Sequence, residues 1–189
     1  MIKRLSMWFY RVSTGKATLF GLVIFLTFTI LVLPSQAAIS DTYGEGISSP
    51  DLSFFYSAKD LYAMAEAYGA EGRDAYIRAH FTFDLIWPII YTFFLTTTIS
   101  WLFIRSVSPY SWLRITNLAA ILGMIFDYLE NISTSIVMGR YPAHTAIVDS
   151  LASIFTMLKW IFIAGAVILL VASAALAVTR WLQRRSKFR

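Results

Sequence analysis

At 189 residues, 58% of them hydrophobic and only 14% charged, the chain is too apolar for a water-soluble domain, in which about a quarter of residues are charged. It has no cysteine, which excludes disulfides, thiolate metal sites and a cysteine nucleophile. Its net charge of +5 is concentrated beside apolar stretches, with no basic patch interleaved with base-stacking aromatics, so no nucleic-acid partner is expected.

A bilayer crossing needs roughly 20 mostly apolar residues. Four stretches meet or approach that length, at 17–34, 82–104, 112–138 and 150–181. They leave no room for a separate soluble domain. The sequence therefore predicts a single polytopic domain, 1–189: an all-α membrane protein built as a four-transmembrane-helix bundle with an outer-side amphipathic helix.

Lys3, Arg4, Arg11 and Lys16 precede the first span, and "MWFYR" reads as an aromatic anchor at the interface. The span "ATLFGLVIFLTFTILVL" runs to Pro34 and is followed by "SQAA". Signal peptides have shorter apolar cores, so a retained anchor is expected. Segment 35–80 is the outer loop and surface helix. It carries Asp41, Glu45, Asp51, Asp60, Glu66, Glu71 and Asp74 against Lys59, Arg73 and Arg78. Arg105 and Arg114 lie in the loop after the second span, and Arg180, Arg184, Arg185, Lys187 and Arg189 close the chain. Positive residues are retained on the cytoplasmic side. Both termini and the 105–114 loop are thus expected in the cytoplasm, 35–80 and 139–149 outside, and the protein in the cell (inner) membrane. The basic tail should meet anionic headgroups.

Within the outer segment, "DTYGEGISSPDLSFFYS" is loop-like. Ser57 and Asp60 form a capping-box start, and Leu61, Met64, Ala65 and Tyr68 share one face. A helix over 57–69 follows, lying on the outer surface or capping the bundle, with Gly69 and Gly72 expected to break it.

His80, Asp84, Pro88 and Tyr91 recur at steps of four, four and three and share a helical face. Asp84 should lie about 6 Å below His80 along the axis. The antiparallel third span carries Asp127 and Glu130 three residues apart, with Asn131 adjacent, and the fourth brings Thr156 and Lys159 down one face. Three helices thus deliver ionisable groups to similar depth. Each charge near a helix centre costs about 2.5–3.5 kcal/mol to insert, so these residues are expected to face the bundle interior. One lysine cannot neutralise three carboxylates, so at least one acid should be protonated or hydrogen-bonded. His80 is expected at the interface, and no metal site or cofactor is expected, because the His-x-x-x-Asp and Asp-x-x-Glu spacings are too common to specify one. "TTTIS" at 96–100 reads as helix packing through small polar residues.

The run "SPDLSFFYS…LYAMAEAYGAEGRDAYIRAHFTFDLIWPIIYTFFL", then "FDYLEN", "YP" and "SIFTMLKW", resembles an uncharacterised family of bacterial four-span membrane proteins over most of 48–160. That resemblance implies no activity. A weaker similarity in layout, Asp84 shortly before Pro88 and a third-span acid at Asp127 or Glu130, is to the emopamil-binding and sigma-2 receptor (EXPERA) group. It implies four spans, cytoplasmic termini and an acid-lined pocket for sterol-like amines. Lys159 departs from that pattern, and no histidine lies deep in a span.

The expected function is binding of a lipid or amphiphilic small molecule in an acid-lined pocket in the outer half of the bundle. Asp84, Trp87, Tyr91, Asp127, Glu130, Asn131 and Lys159 are its candidate ligand-binding residues. Two alternatives stand beside it. One is a membrane enzyme using Asp84 or Glu130 as general acid or base on a lipidic substrate. The other is an accessory subunit of a larger membrane complex, in which the polar residues are structural glue worth about 0.6 kcal/mol per interaction. Membrane lipids, an amphiphilic ligand, a second copy of the chain or a membrane-complex partner are the partners these readings imply.

Overall fold

The computed structural model describes residues 1–34, 42–43 and 49–186, apart from the side chain of Arg184. The outer-loop stretches 35–41 and 44–48, and Lys187 and Arg189 of the basic tail, lie outside the described residues. Among the described residues every regular element is helical.

α1 (Ile2–Val12) and α2 (Gly15–Leu31) meet at 94°. The break falls at Ser13 and Thr14, where the Thr14 hydroxyl accepts from the Ala17 N–H at 3.2 Å and caps the new helix. A 3₁₀ turn (Pro50–Leu52) leads to α3 (Ala58–Ala67), α4 (Gly69–His80) and α5 (Phe83–Ser106). A second 3₁₀ stretch (Trp112–Leu118) precedes α6 (Ala119–Arg140), and α7 (Val148–Ser186) ends the described chain. Three helical stretches are long and apolar enough to cross a membrane: Gly69–Ser106, Trp112–Arg140 and Val148–Gln183. The bent α1–α2 pair passes the same test only when taken as one.

Two boundaries differ from the sequence reading. Gly69 turns the chain with φ of 60°, a conformation open to glycine, but helix resumes at once as α4. Gly72 lies inside α4, where a Cβ would come within 2.8 Å of the Tyr43 Cβ; it serves a close approach and breaks nothing. The third span does not start as α-helix at Trp112. Ser111 caps Leu113 through its hydroxyl at 3.3 Å, and the tighter 3₁₀ winding persists to Leu118.

The helices contribute to two compact units. The first comprises Met1–Phe25, Ile90–Leu122 and Phe162–Arg189. Here α2 packs closely on α5: a Cβ on Gly21 would lie 3.2 Å from the Phe93 ring, and Phe25 stacks on Phe94 at 4.7 Å. Its polar centre is Asn117, which accepts from the Ser6 hydroxyl at 2.8 Å and donates to the Ser100 hydroxyl at 2.9 Å. Thr96 and Thr97 of the "TTTIS" run are fully buried.

The second unit comprises Leu26–Ile89 and Gly123–Ile161. α3 caps it. The Ser57 hydroxyl accepts from the Asp60 N–H at 3.2 Å while the Asp60 carboxylate accepts from the Ser57 N–H at 2.9 Å, the reciprocal capping box. Leu61, Met64, Ala65 and Tyr68 turn inward and pack with Tyr56, Tyr76, Val137, Met138 and Ala152. That burial makes α3 a lid on the helices, the second of the two placements the sequence allowed.

Candidate functional site

The site lies in the second unit and is assembled from four segments. α6 supplies Asp127, Glu130 and Asn131; α7 supplies Thr156 and Lys159; the end of α4 and the start of α5 supply His80 and Asp84; the Pro50–Leu52 turn supplies Asp51. The spacing of three on α6 and on α7 puts each pair on one helical face.

Its inner part is a closed lock. Lys159 Nζ forms an ion pair with Glu130 Oε2, and both side chains are buried. The Thr156 hydroxyl donates to Glu130 Oε1 at 2.7 Å. Tyr56 reaches in from the stretch between the Pro50–Leu52 turn and α3: its hydroxyl lies 2.9 Å from Thr156 Oγ1, and its backbone N–H donates to Ser153 Oγ at 3.3 Å. Burial, reinforced by the charges of Glu130 and Asp51, holds the Tyr56 hydroxyl above its ordinary pKa despite the Thr156 contact. Tyr56 is therefore a neutral hydrogen-bonding group here.

The outer part stays partly open. His80 is buried between two carboxylates, with Nε2 3.2 Å from Asp51 Oδ1 and Nδ1 3.5 Å from Asp84 Oδ2. Nδ1 also faces the Tyr76 carbonyl at 3.0 Å. The Asp84 side chain retains 20% of its surface and that of Asp51 29%. Burial pushes the Asp51 carboxyl up, but the His80 ring, the Lys159 ammonium and the Ser49 hydroxyl outweigh it and hold the group below the usual carboxylate range. The Ser49 hydroxyl donates to Asp51 at 2.8 Å. Lys159 Nζ also approaches the Asp51 carbonyl at 3.5 Å, so the same lysine touches α6 and the Pro50–Leu52 turn.

The helix around Asp84 is shaped by Pro88, which has no N–H to give to the Asp84 carbonyl. The neighbouring Leu85 carbonyl accepts from the Tyr128 hydroxyl at 2.8 Å. Asp127 is buried and within electrostatic reach of both Lys159 and Asp84. Asn131 is buried, and among the described residues neither its amide nitrogen nor its amide oxygen has a hydrogen-bond partner.

Five of the seven sequence candidates thus belong to one cluster: Asp84, Asp127, Glu130, Asn131 and Lys159. Trp87 is half-buried and stacks with Phe83 at 6.3 Å and Phe28 at 6.4 Å. Tyr91 is buried and falls in the first unit. His80, expected at the interface, is buried within the protein (3% exposed), with Asp51 and Asp84 as polar partners. Its step of four to Asp84 was the available signal. Asp51 and Tyr56 carried none, since only the fold brings their loop to the helices.

Of the two candidate acid–base residues, Glu130 is fully buried and paired, while Asp84 keeps an accessible edge. Among the described residues no set of three His, Asp or Glu side chains is placed to hold a metal ion. The chain matches no family model, no curated protein and no solved structure.

Proposed function

We propose that this is an integral membrane protein that binds the cationic head of a lipid-like or other amphiphilic molecule at the outer, carboxylate-rich part of the cluster. One observation carries the reading. Among the described residues the cluster gathers Asp51, Asp84, Asp127 and Glu130 against Lys159 and His80. With all four carboxylates ionised and His80 charged, an excess of two negative charges remains. Such an excess in a low-dielectric setting favours uptake of a cation or of protons. The buried Asn131 amide, without a hydrogen-bond partner among the described residues, lies next to Glu130 in the chain, and the open edges of Asp84 and Asp51 offer the approach.

In this reading α2, with α1 bent away from it by 94°, makes a fourth crossing, both termini are cytoplasmic, and the protein resides in the inner membrane, with the acid site in the outer half. The distribution of Lys and Arg supports that orientation. Single cysteines at Lys59 and Arg185, in a chain without native cysteine, test it with a membrane-impermeant reagent. Modification of both from the same side overturns it. The resemblance in layout to the emopamil-binding group is in keeping with an amine ligand but lends no residue role.

Binding is tested with dodecylamine and dodecanol as probes on the purified protein in neutral detergent. The amine should raise the melting temperature and the alcohol should not, and Asp84→Asn should weaken the amine response. Equal responses to both probes overturn the reading. Native mass spectrometry of the purified protein then identifies any molecule that accompanies it.

A second reading has its own support. The Glu130–Lys159–Thr156–Tyr56 lock is internally satisfied, as expected of a protein whose polar core serves packing in a larger assembly. Asp84 as a general acid or base on a lipidic substrate is the third; it requires turnover that Asp84→Asn abolishes while the fold is retained.

A further inference from the structure

α1 presents three distinct faces. Ser6 and Tyr10 turn into the first unit: the Ser6 hydroxyl donates to Asn117 at 2.8 Å, and the Tyr10 hydroxyl donates to the Arg114 carbonyl at 2.7 Å. The Arg114 guanidinium lies over the Tyr10 ring at 4.8 Å. These contacts hold α1 along the 3₁₀ stretch Trp112–Leu118. Ile2, Leu5 and Trp8 share a second arc, at 63%, 43% and 53% exposure. Lys3, Arg4 and Arg11, all exposed, occupy the third. Helical periodicity separates the three arcs. No acidic residue occurs before Asp41, so nothing within this segment neutralises the basic arc.

The 94° elbow fixes what these faces meet. α2 is apolar along its whole length, with Lys16 at its start as its one charge. A helix at right angles to the end of such an element lies in the plane where hydrocarbon gives way to headgroups. A polar-faced helix with an aromatic and aliphatic stripe and a basic flank is suited to that plane.

We infer that α1 is an in-plane docking surface for the anionic headgroups of its membrane leaflet. Ile2, Leu5 and Trp8 insert among the acyl chains, and Lys3, Arg4 and Arg11 engage lipid phosphates. Charge complementarity selects this occupant over a second copy of the chain, whose identical basic arc would repel it. Each Lys or Arg near an anionic surface contributes about fivefold to partitioning, so three give a marked preference for anionic over zwitterionic lipid. The inference rests on α1, its contacts and the proposed crossing by α2, and stands apart from the acid cluster.

The full chain, free of native cysteine, is labelled with a nitroxide at Trp8→Cys or Lys3→Cys. It is reconstituted into vesicles of phosphatidylcholine alone or mixed with phosphatidylglycerol. The Trp8→Cys label should be accessible to oxygen and shielded from a water-soluble nickel complex, and the Lys3→Cys label the reverse. Spin-labelled phosphatidylglycerol should associate more strongly than its phosphatidylcholine counterpart, and Lys3→Gln/Arg4→Gln/Arg11→Gln should bring that ratio toward unity. A water-exposed Trp8→Cys label overturns the inference. So does dipolar broadening from a second copy at that position, or a lipid preference unchanged in the triple variant. Should that variant fail to fold, the two single-cysteine chains decide the matter by label depth alone.

Discussion

Each of the two units buries a polar centre among apolar helices, and the two are built on opposite principles. In the first, Asn117 links Ser6 to Ser100 through neutral hydrogen bonds at 2.8 and 2.9 Å. In the second, Glu130 and Lys159 are formally charged and held by each other, by Thr156 and through it by Tyr56. A neutral hub is self-sufficient: donors and acceptors match, and loss of one partner strands a dipole. A charged hub is conditional, since loss of one partner strands a full charge, and in the proposed function the surplus carboxylates favour an outside cation. The contrast teaches that burial of polar groups alone does not mark a functional site. Charge imbalance, with part of it still accessible, distinguishes the second centre from the first.

The sharpest break in this contrast is Lys159→Met. Removing one member of a buried pair costs about 3–5 kcal/mol, limited where the freed Glu130 takes up a proton. Melting in detergent should show the loss, and adding Glu130→Gln should recover part of it. A melting curve matching the wild type would remove the charged hub from the account. Asn117→Leu should cost less, about 1–3 kcal/mol, chiefly for the stranded Ser100 hydroxyl, because Ser6 keeps the Arg114 carbonyl at 3.3 Å.

A pH series refines the comparison. Asp51 is held below its ordinary value of 3.8, so its contribution is present above that value and disappears as pH falls toward its lowered folded value. Asp51→Asn should therefore be less stable than wild type at neutral pH, and the gap should close on acidification below about pH 4. A gap constant with pH would mean that the charge of Asp51 contributes nothing. The smallest effect belongs to Ser57→Ala, which removes one side of the α3 capping box at a cost of about 1 kcal/mol. It should speed amide exchange in the first turn of α3 and leave the hub untouched.

What could be read from the chain followed the range of the interactions involved. The capping box, the inward face of α3 and the shared face of Asp84 and Pro88 depend on neighbours within one or two turns, and their spacing states them. The step of three between Asp127 and Glu130 placed both acids on one face for the same reason. Asp51 stayed invisible because its contact with His80 spans 29 positions and follows from how the Pro50–Leu52 turn packs. Gly72 misled because a glycine required for close approach to Tyr43 reads in sequence like one that ends a helix. The 3₁₀ winding over Trp112–Leu118 is a local backbone choice that apolar periodicity does not encode.

The length of α2 has a consequence for the bilayer itself. Its 17 residues span about 26 Å, against a hydrocarbon core of about 30 Å. If this described helix makes the proposed fourth crossing, it falls a few ångströms short, a mismatch that a bilayer accommodates by local thinning. At fractions of a kcal/mol per ångström the cost is modest, but it recurs wherever the protein goes. The chain should accordingly favour thin membranes over thick ones, and reconstitution into lipids of graded acyl length should show its highest thermal stability on the short side.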